Sequence, residues 1–173
     1  MALTTTAADA IAMTAAVATR PAPIGADTAA LADDGQPIGL TVSSFNSVSL
    51  APPLILWSLA LESPNFDAFC NASHFAVNVL SADQQQLSDR FASRANERFA
   101  DLDVCPGLAG VPLISGCCAW FECVNEARYP GGDHLIFLGR VERFAAGKNE
   151  LPLLFHNARY RQLETSGAED SNG

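Results

Sequence analysis

The chain alternates short apolar runs with turn-forming clusters, and few of the runs carry helical spacing. PAPIGADTAALADDGQPIGL (residues 21–40) reads as a weak strand, a turn at Asp33-Asp34-Gly35, and a second strand from Pro37. Asp-Asp-Gly supplies the residues a tight hairpin turn demands. Residues 53–60 are nearly continuous apolar and predict a buried strand. Ser63-Pro64 predicts a short helix with Ser63 as N-cap and Pro64 first in the helix, its apolar face made of Phe66, Phe69 and Cys70. HFAVNVL (74–80) predicts a strand. Ser81 and Gln84 have capping-box spacing and predict a helix through about Ala95, with Leu87 and Phe91 facing inward. Residues 100–117 read as a loop. AWFECVNEARY and HLIFLGRVERF predict two strands joined at Tyr129-Pro-Gly-Gly-Asp, and LLFHNARYRQL closes the domain.

These elements predict five or six strands with two or three short helices. A βαβ rhythm is missing, so a mostly antiparallel sheet closed towards a barrel is expected rather than a Rossmann fold. The domain is expected over 23–163. It follows an Ala/Thr-rich segment at 1–22, whose propensities support a helix over Ala7–Val17, and precedes a tail at 164–173 expected to be disordered.

Composition narrows the function. The 173 residues carry a formal charge of -9, against nucleic acid or an anionic membrane as the main partner. The longest apolar run, Leu54–Leu61, is too short for a transmembrane helix. The N-terminus lacks the basic region of a signal peptide, and five cysteines (Cys70, Cys105, Cys117, Cys118, Cys123) show no CxxC spacing. Reduced thiols and a cytoplasmic location are the expectation. Three scattered histidines offer no metal-ligand pattern, and no metal site is expected.

Three features are candidates for chemistry. Thr41, Ser43, Ser44, Ser47 and Ser49 crowd one short span. Their hydroxyls and neighbouring backbone N–H groups can cradle a phosphate without lysine, or can bond their own backbone in a hairpin. Arg90, Arg94 and Arg98 recur every four residues. They form either a phosphate-binding stripe or a solvated face balanced by Asp89 and Glu97. His134 opens a strand directly after a Gly-Gly-Asp turn, which puts it at a rim, as a ligand contact or simply a half-exposed residue. The chain has no Gly-x-Ser-x-Gly, P-loop or GxGxxG motif and no evident carboxylate pair. If it is an enzyme, a cofactor carries the chemistry and the protein positions it.

TVSSFNSVSLAPPLILWSL, HFAVNVLSADQQQLSDRFAS, AWFECVNEARYPGGDHLIFLGRV and PLLFHNARYRQL occur in this order. Over about residues 36–163 the chain resembles the short-chain flavin reductases, the reductase partners of two-component flavin monooxygenases. The resemblance implies a mainly β fold with short helices, the flavin-binding split β-barrel, usually as a homodimer. It implies FMN or FAD, NADH or NADPH as co-substrate, and a separate oxygenase that receives reduced flavin. By the same resemblance Thr41, Val42, Ser43, Ser44 and Phe45 lie near the ring and ribityl chain, and Ser47, Val48 and Ser49 form the phosphate side. Asn78 with Phe91, Ala92, Ser93 and Arg94 makes the further wall. His134, Arg159 and Tyr160 form the nicotinamide side, with His134 a contact in hydride transfer rather than an acid.

The front end departs from the family pattern. Its helix region is nearly all Ala and Thr, and the first strand, IGADTAAL, carries Asp27. A carboxyl facing a barrel interior unpaired would cost stability. Two alternatives to a reductase remain: a non-catalytic flavin-binding protein or carrier of the same fold, and a domain that has lost its ligand.

Overall fold

The computed structural model describes residues 25–93, 97–148, 151–157 and 159–161. The expected helix over Ala7–Val17, the tail at 164–173 and Arg94 lie outside them. One antiparallel sheet dominates. Its strands are β1 (Ala26–Leu31), β2 (Pro37–Val42), β3 (Asn46–Leu50), β4 (Pro53–Ala60), β5 (His74–Val79), β8 (Ala119–Gly131) and β9 (His134–Ala146). They lie in the order β2-β1-β5-β8-β9-β4-β3. β2 and β3 stand at opposite ends of that order, yet only Ser43–Phe45 joins them. Such a link spans at most about 14 Å. The sheet must therefore curl until its two ends nearly meet, giving a barrel with an open seam at the serine-rich bend.

Register sorts the side chains into two cores. Directly opposed residues share a face. In the pairing β2-β1-β5, Thr41, Asp27 and Asn78 form one row, and Gly39, Ala29 and Ala76 the next. The alternate residues, among them Ala26, Ala30, Val42, Phe75, Val77 and Val79, face the barrel interior around Trp57. There Trp57 stacks on Phe137 at 4.5 Å and meets Phe69 and Phe75 edge-on. Such pairs add about 0.5–1.5 kcal/mol each beyond their burial. The outer face is covered by a second cluster of Leu80, Phe91, Ile114, Cys117 and Leu153. Asp27 thus lies on the outer face, not in the barrel interior. β1 tolerates its alanines because it is buried on both faces, and small residues let the outer layer approach.

Several boundaries differ from the sequence expectation. Helix α1 (Phe66–Asn71) starts after Asn65, not at Ser63. Ser63 instead turns the chain ahead of it, its hydroxyl accepting from the Asn65 N–H at 3.3 Å and its carbonyl from the Phe66 N–H at 3.0 Å. Helix α2 (Gln85–Ala92) is shorter than the run to Ala95. Half of its capping box forms, with Gln84 Oε1 accepting from the Ser81 N–H at 3.0 Å, while the Ser81 hydroxyl turns to Asp83. The stretch 100–117 is more than loop: β6 (Val104–Pro106) and β7 (Pro112–Ile114) pair around a 3-10 turn at Leu108–Gly110. β10 (Leu154–His156) and β11 (Arg159–Arg161) form a terminal hairpin.

Candidate functional site

A cleft of about 1100 Å³ runs along the edge of β2. One bank is residues 36–41. The other banks are residues 62–65 before α1, Phe91–Ser93 at the end of α2, and residues 97–100. Gly39 sets how closely these layers approach: a Cβ there would lie 2.6 Å from Phe91 Cε1 and 3.0 Å from Phe99 Cζ. The two rings pack edge to face at 4.9 Å and form an apolar wall.

Two arginines hold the far wall through carbonyl oxygens rather than carboxylates. Arg90 donates to the carbonyls of Glu97 at 2.8 Å and Ala100 at 2.6 Å. Arg98 donates to the Gly39 carbonyl at 2.8 Å and the Ser93 carbonyl at 2.5 Å. For these two residues the basic stripe becomes a pair of loop tethers, because α2 ends before Arg98. Arg98 Nε is buried with no partner among the described residues.

Behind Thr41 lies a polar chain. Thr41 Oγ1 sits 2.7 Å from Asp27 Oδ1 and 2.8 Å from the Ser88 carbonyl oxygen. The Tyr160 hydroxyl lies 3.0 Å from Ser88 Oγ and donates to Asp89 Oδ1 at 2.9 Å. Asp27 is fully buried and its Oδ2 has no partner among the described residues. Burial pushes its carboxyl up to about 7, against the lowering effect of Thr41.

The residues proposed from sequence fall into distinct places. Thr41, Phe91, Ala92 and Ser93 line the cleft together. Val42 points into the barrel core and Phe45 packs 5.5 Å from Phe121. Ser43 is exposed; Ser44 Oγ accepts from the Ser58 N–H at 2.9 Å and so pins the seam to β4. Ser47 and Ser49 flank a bulge in β3, where Val48 is exposed. Asn78 is fully buried: its Oδ1 accepts from the Ile114 N–H at 2.8 Å and its amide N–H donates to the Asp27 carbonyl at 3.3 Å, joining β1, β5 and β7. His134 pairs across the sheet with Ala60, close in sequence to Glu62 on the rim, and its Nδ1 lies 2.7 Å from Asp133 Oδ1. That contact holds the Asp133 carboxyl below its usual range. Arg159 is exposed on β11, while Tyr160 reaches α2 rather than the cleft. The sequence reading did not single out Gly39, Asn65 or Ser88. Only tertiary pairing brings them to the site.

The cleft offers an aromatic wall, a strand edge and small hydroxyl residues, in a volume ample for a nucleotide-sized ligand. The family model for the flavin reductase like domain matches residues 5–164. FMN reductase (NADH) SmoA of Agrobacterium fabrum is 50% identical over 124 residues, covering 72% of this chain and 70% of SmoA. The reductase component of the flavin-dependent trigonelline monooxygenase of Acinetobacter baylyi is 45% identical over 114 residues, 66% of this chain. The match spans only 37% of that longer protein. Among solved structures, the Streptomyces globisporus NADH:FAD oxidoreductase SgcE6, in complex with NAD and FAD fragments, has a TM-score of 0.75 and 34% identity, covering 86% of this chain and 88% of that one. The chain belongs to the flavin reductase like domain family.

Proposed function

We propose that the chain is an NAD(P)H-dependent flavin reductase that passes a hydride from NADH or NADPH to FMN or FAD and supplies reduced flavin to a separate monooxygenase. The observation that carries this reading is the likeness, over 86% of the chain, to a reductase structure holding NAD and FAD fragments, in a molecule with a cleft of matching chemistry. Bound flavin would supply the two-electron acceptor for a hydride from the dihydronicotinamide. The chain's own part is positioning and exclusion of water. Phe99, backed edge to face by Phe91, offers an apolar wall, and Ser43 and the backbone of the seam offer hydrogen-bond donors. His134 is the nicotinamide contact in this reading, its ring held by Asp133.

Flavin titration tests the binding half of this reading. Cleft residues Ile38 and Leu40 pack against the core that holds Trp57, and Phe91 and Phe99 belong to the cluster that holds Trp120, so FMN or FAD should quench tryptophan emission saturably. Unchanged emission and unchanged ligand fluorescence would contradict it. Retention of flavin without turnover would instead support the carrier alternative. For His134→Ala, the KM for NAD(P)H should rise more than that for flavin; equal constants would remove its role.

A homodimer, a cytoplasmic location and a catalytic unit over 23–163 belong to the same proposal. Val48 (48% exposed) and Leu50 (53%) present an apolar edge on β3 suited to a second copy. All five cysteines are free, in keeping with a reducing compartment, and no helix among the described residues is long and apolar enough to cross a membrane. Size-exclusion chromatography with light scattering should return twice the chain mass; a monomer at micromolar concentration would remove the dimer.

A further inference from the structure

A hydroxyl carries one hydrogen, and that limits what Thr41 can do. Its Oγ1 lies within hydrogen-bond distance of two oxygens, Asp27 Oδ1 at 2.7 Å and the Ser88 carbonyl at 2.8 Å. The carbonyl can only accept. If Asp27 is ionised it also can only accept, and one of the two short oxygen contacts then has no proton between its atoms. If Asp27 is the neutral acid, both contacts are satisfied. We propose that Asp27 is a proton-holding positioning residue of the cleft: its carboxyl O–H donates to Thr41 Oγ1, Thr41 donates to the Ser88 carbonyl, and helix α2 is thereby tied to strand β2.

The surroundings agree. Asp27 Oδ2 is buried without a partner among the described residues, tolerable for a carbonyl-like oxygen and costly for a charged one. Among the described residues, the groups that face this carboxyl bring no compensating cation. From β2 comes Thr41 and from β5 the neutral amide of Asn78. The segment before β8 contributes Cys117, whose thiol burial and the Asp27 charge both push upward. From β11 comes Tyr160, also raised, chiefly by burial. Beyond them α2 carries the Asp89 carboxyl, which accepts from Tyr160. Removing the proton therefore adds a negative charge that no cation among the described residues balances, and turns the Thr41 hydrogen away from Ser88.

The consequence reaches the cleft because α2 delivers Phe91, Ala92 and Ser93 to its wall, and Thr41 lines the facing bank. Loss of the Asp27 proton releases one of the ties holding those banks together. This consequence rests on the flavin reading of the cleft; the proton chain itself does not.

The test pairs a titration with a binding profile. The side-chain carboxyl carbon of Asp27 is followed by ¹³C NMR in the unmodified protein, its signal assigned by its loss in Asp27→Asn. FMN affinity is measured by fluorescence from mildly acid to alkaline pH for both proteins. The carboxyl should titrate near pH 7, and FMN Kd should weaken about tenfold on the alkaline side, the worth of one hydrogen bond. Asp27→Asn, whose amide donates to Thr41 at every pH, should bind FMN with a flat profile. A merely structural role would leave the slope unchanged. Titration in the ordinary carboxyl range, or parallel profiles for the two proteins, would overturn the proposal. If FMN binds at no pH, the flavin reading falls. The carboxyl titration and the pH dependence of amide exchange in α2 then still decide the proton chain.

Discussion

Asp27 departs from the expectation that a buried ionisable group is paired. Because burial raises its folded value from 3.8 to about 7, the folded state holds the proton more tightly than the unfolded chain. The stability this lends is full below pH 4 and is lost as pH rises through neutrality. The loss is on the order of 4 kcal/mol. Asp27→Asn should match the unmodified protein in urea unfolding at acid pH and exceed it by a few kcal/mol at pH 9; parallel stabilities at both would argue against a buried acid. Gly39 makes a second residue-scale point. Gly39→Ala must displace Phe91 or Phe99, and Phe91 is only 1% exposed. The variant should lose about 1–3 kcal/mol to overpacking and bind flavin more weakly, read by thermal melting and titration together; an unchanged melting temperature would mean the cleft wall gives way freely. Single residues were partly legible in the sequence. Asp27 stood out by its chemistry, but which face it takes is a matter of register, and the period-two pattern of an alanine strand does not distinguish the faces.

At the scale of elements, the seam and the arginine tethers decide the shape of the cleft. Ser44→Ala removes the acceptor for the Ser58 N–H, and an unsatisfied backbone donor costs about 1–3 kcal/mol. Faster amide exchange at Ser58 is the expected signature. Arg98 bridges the Gly39 and Ser93 carbonyls with two nitrogens of one planar group. Arg98→Lys should therefore fail to restore what Arg98→Ala loses, since a lysine ammonium is a point donor. Exchange over residues 97–102 should rise in both variants, and protection in the lysine form would show that charge alone suffices. The long strands were readable because their alternation is strong. Helix ends were less so: Ser63 and Ser81 have N-cap chemistry, but turn hydrogen bonds and the Asp83 carboxylate compete for their hydroxyls. The β6–β7 ribbon was invisible among prolines and glycines, as its pairing comes from position over the outer face rather than from propensity.

For the whole molecule, closure is the decisive event. A seven-stranded sheet whose end strands are joined by three residues has no choice but to curl, and that closure creates both an aromatic interior around Trp57 and the cleft at its open edge. The barrel could be foreseen from the antiparallel rhythm and from the family resemblance. The site was foreseen only in part. Thr41 and Phe91–Ser93 converge on the cleft, whereas the Asn78 amide is occupied with holding β1, β5 and β7 together. A serine-rich span in sequence does not reveal which hydroxyls close the barrel and which remain for a ligand. The reading of the molecule as a reductase stands or falls on turnover. Purified protein mixed with NADH or NADPH and a catalytic amount of FMN or FAD in air should oxidise the nucleotide continuously, seen as a fall in absorbance at about 340 nm that depends on both protein and flavin. No flavin-dependent loss of absorbance with any of the four combinations, in folded protein that binds flavin, would contradict it.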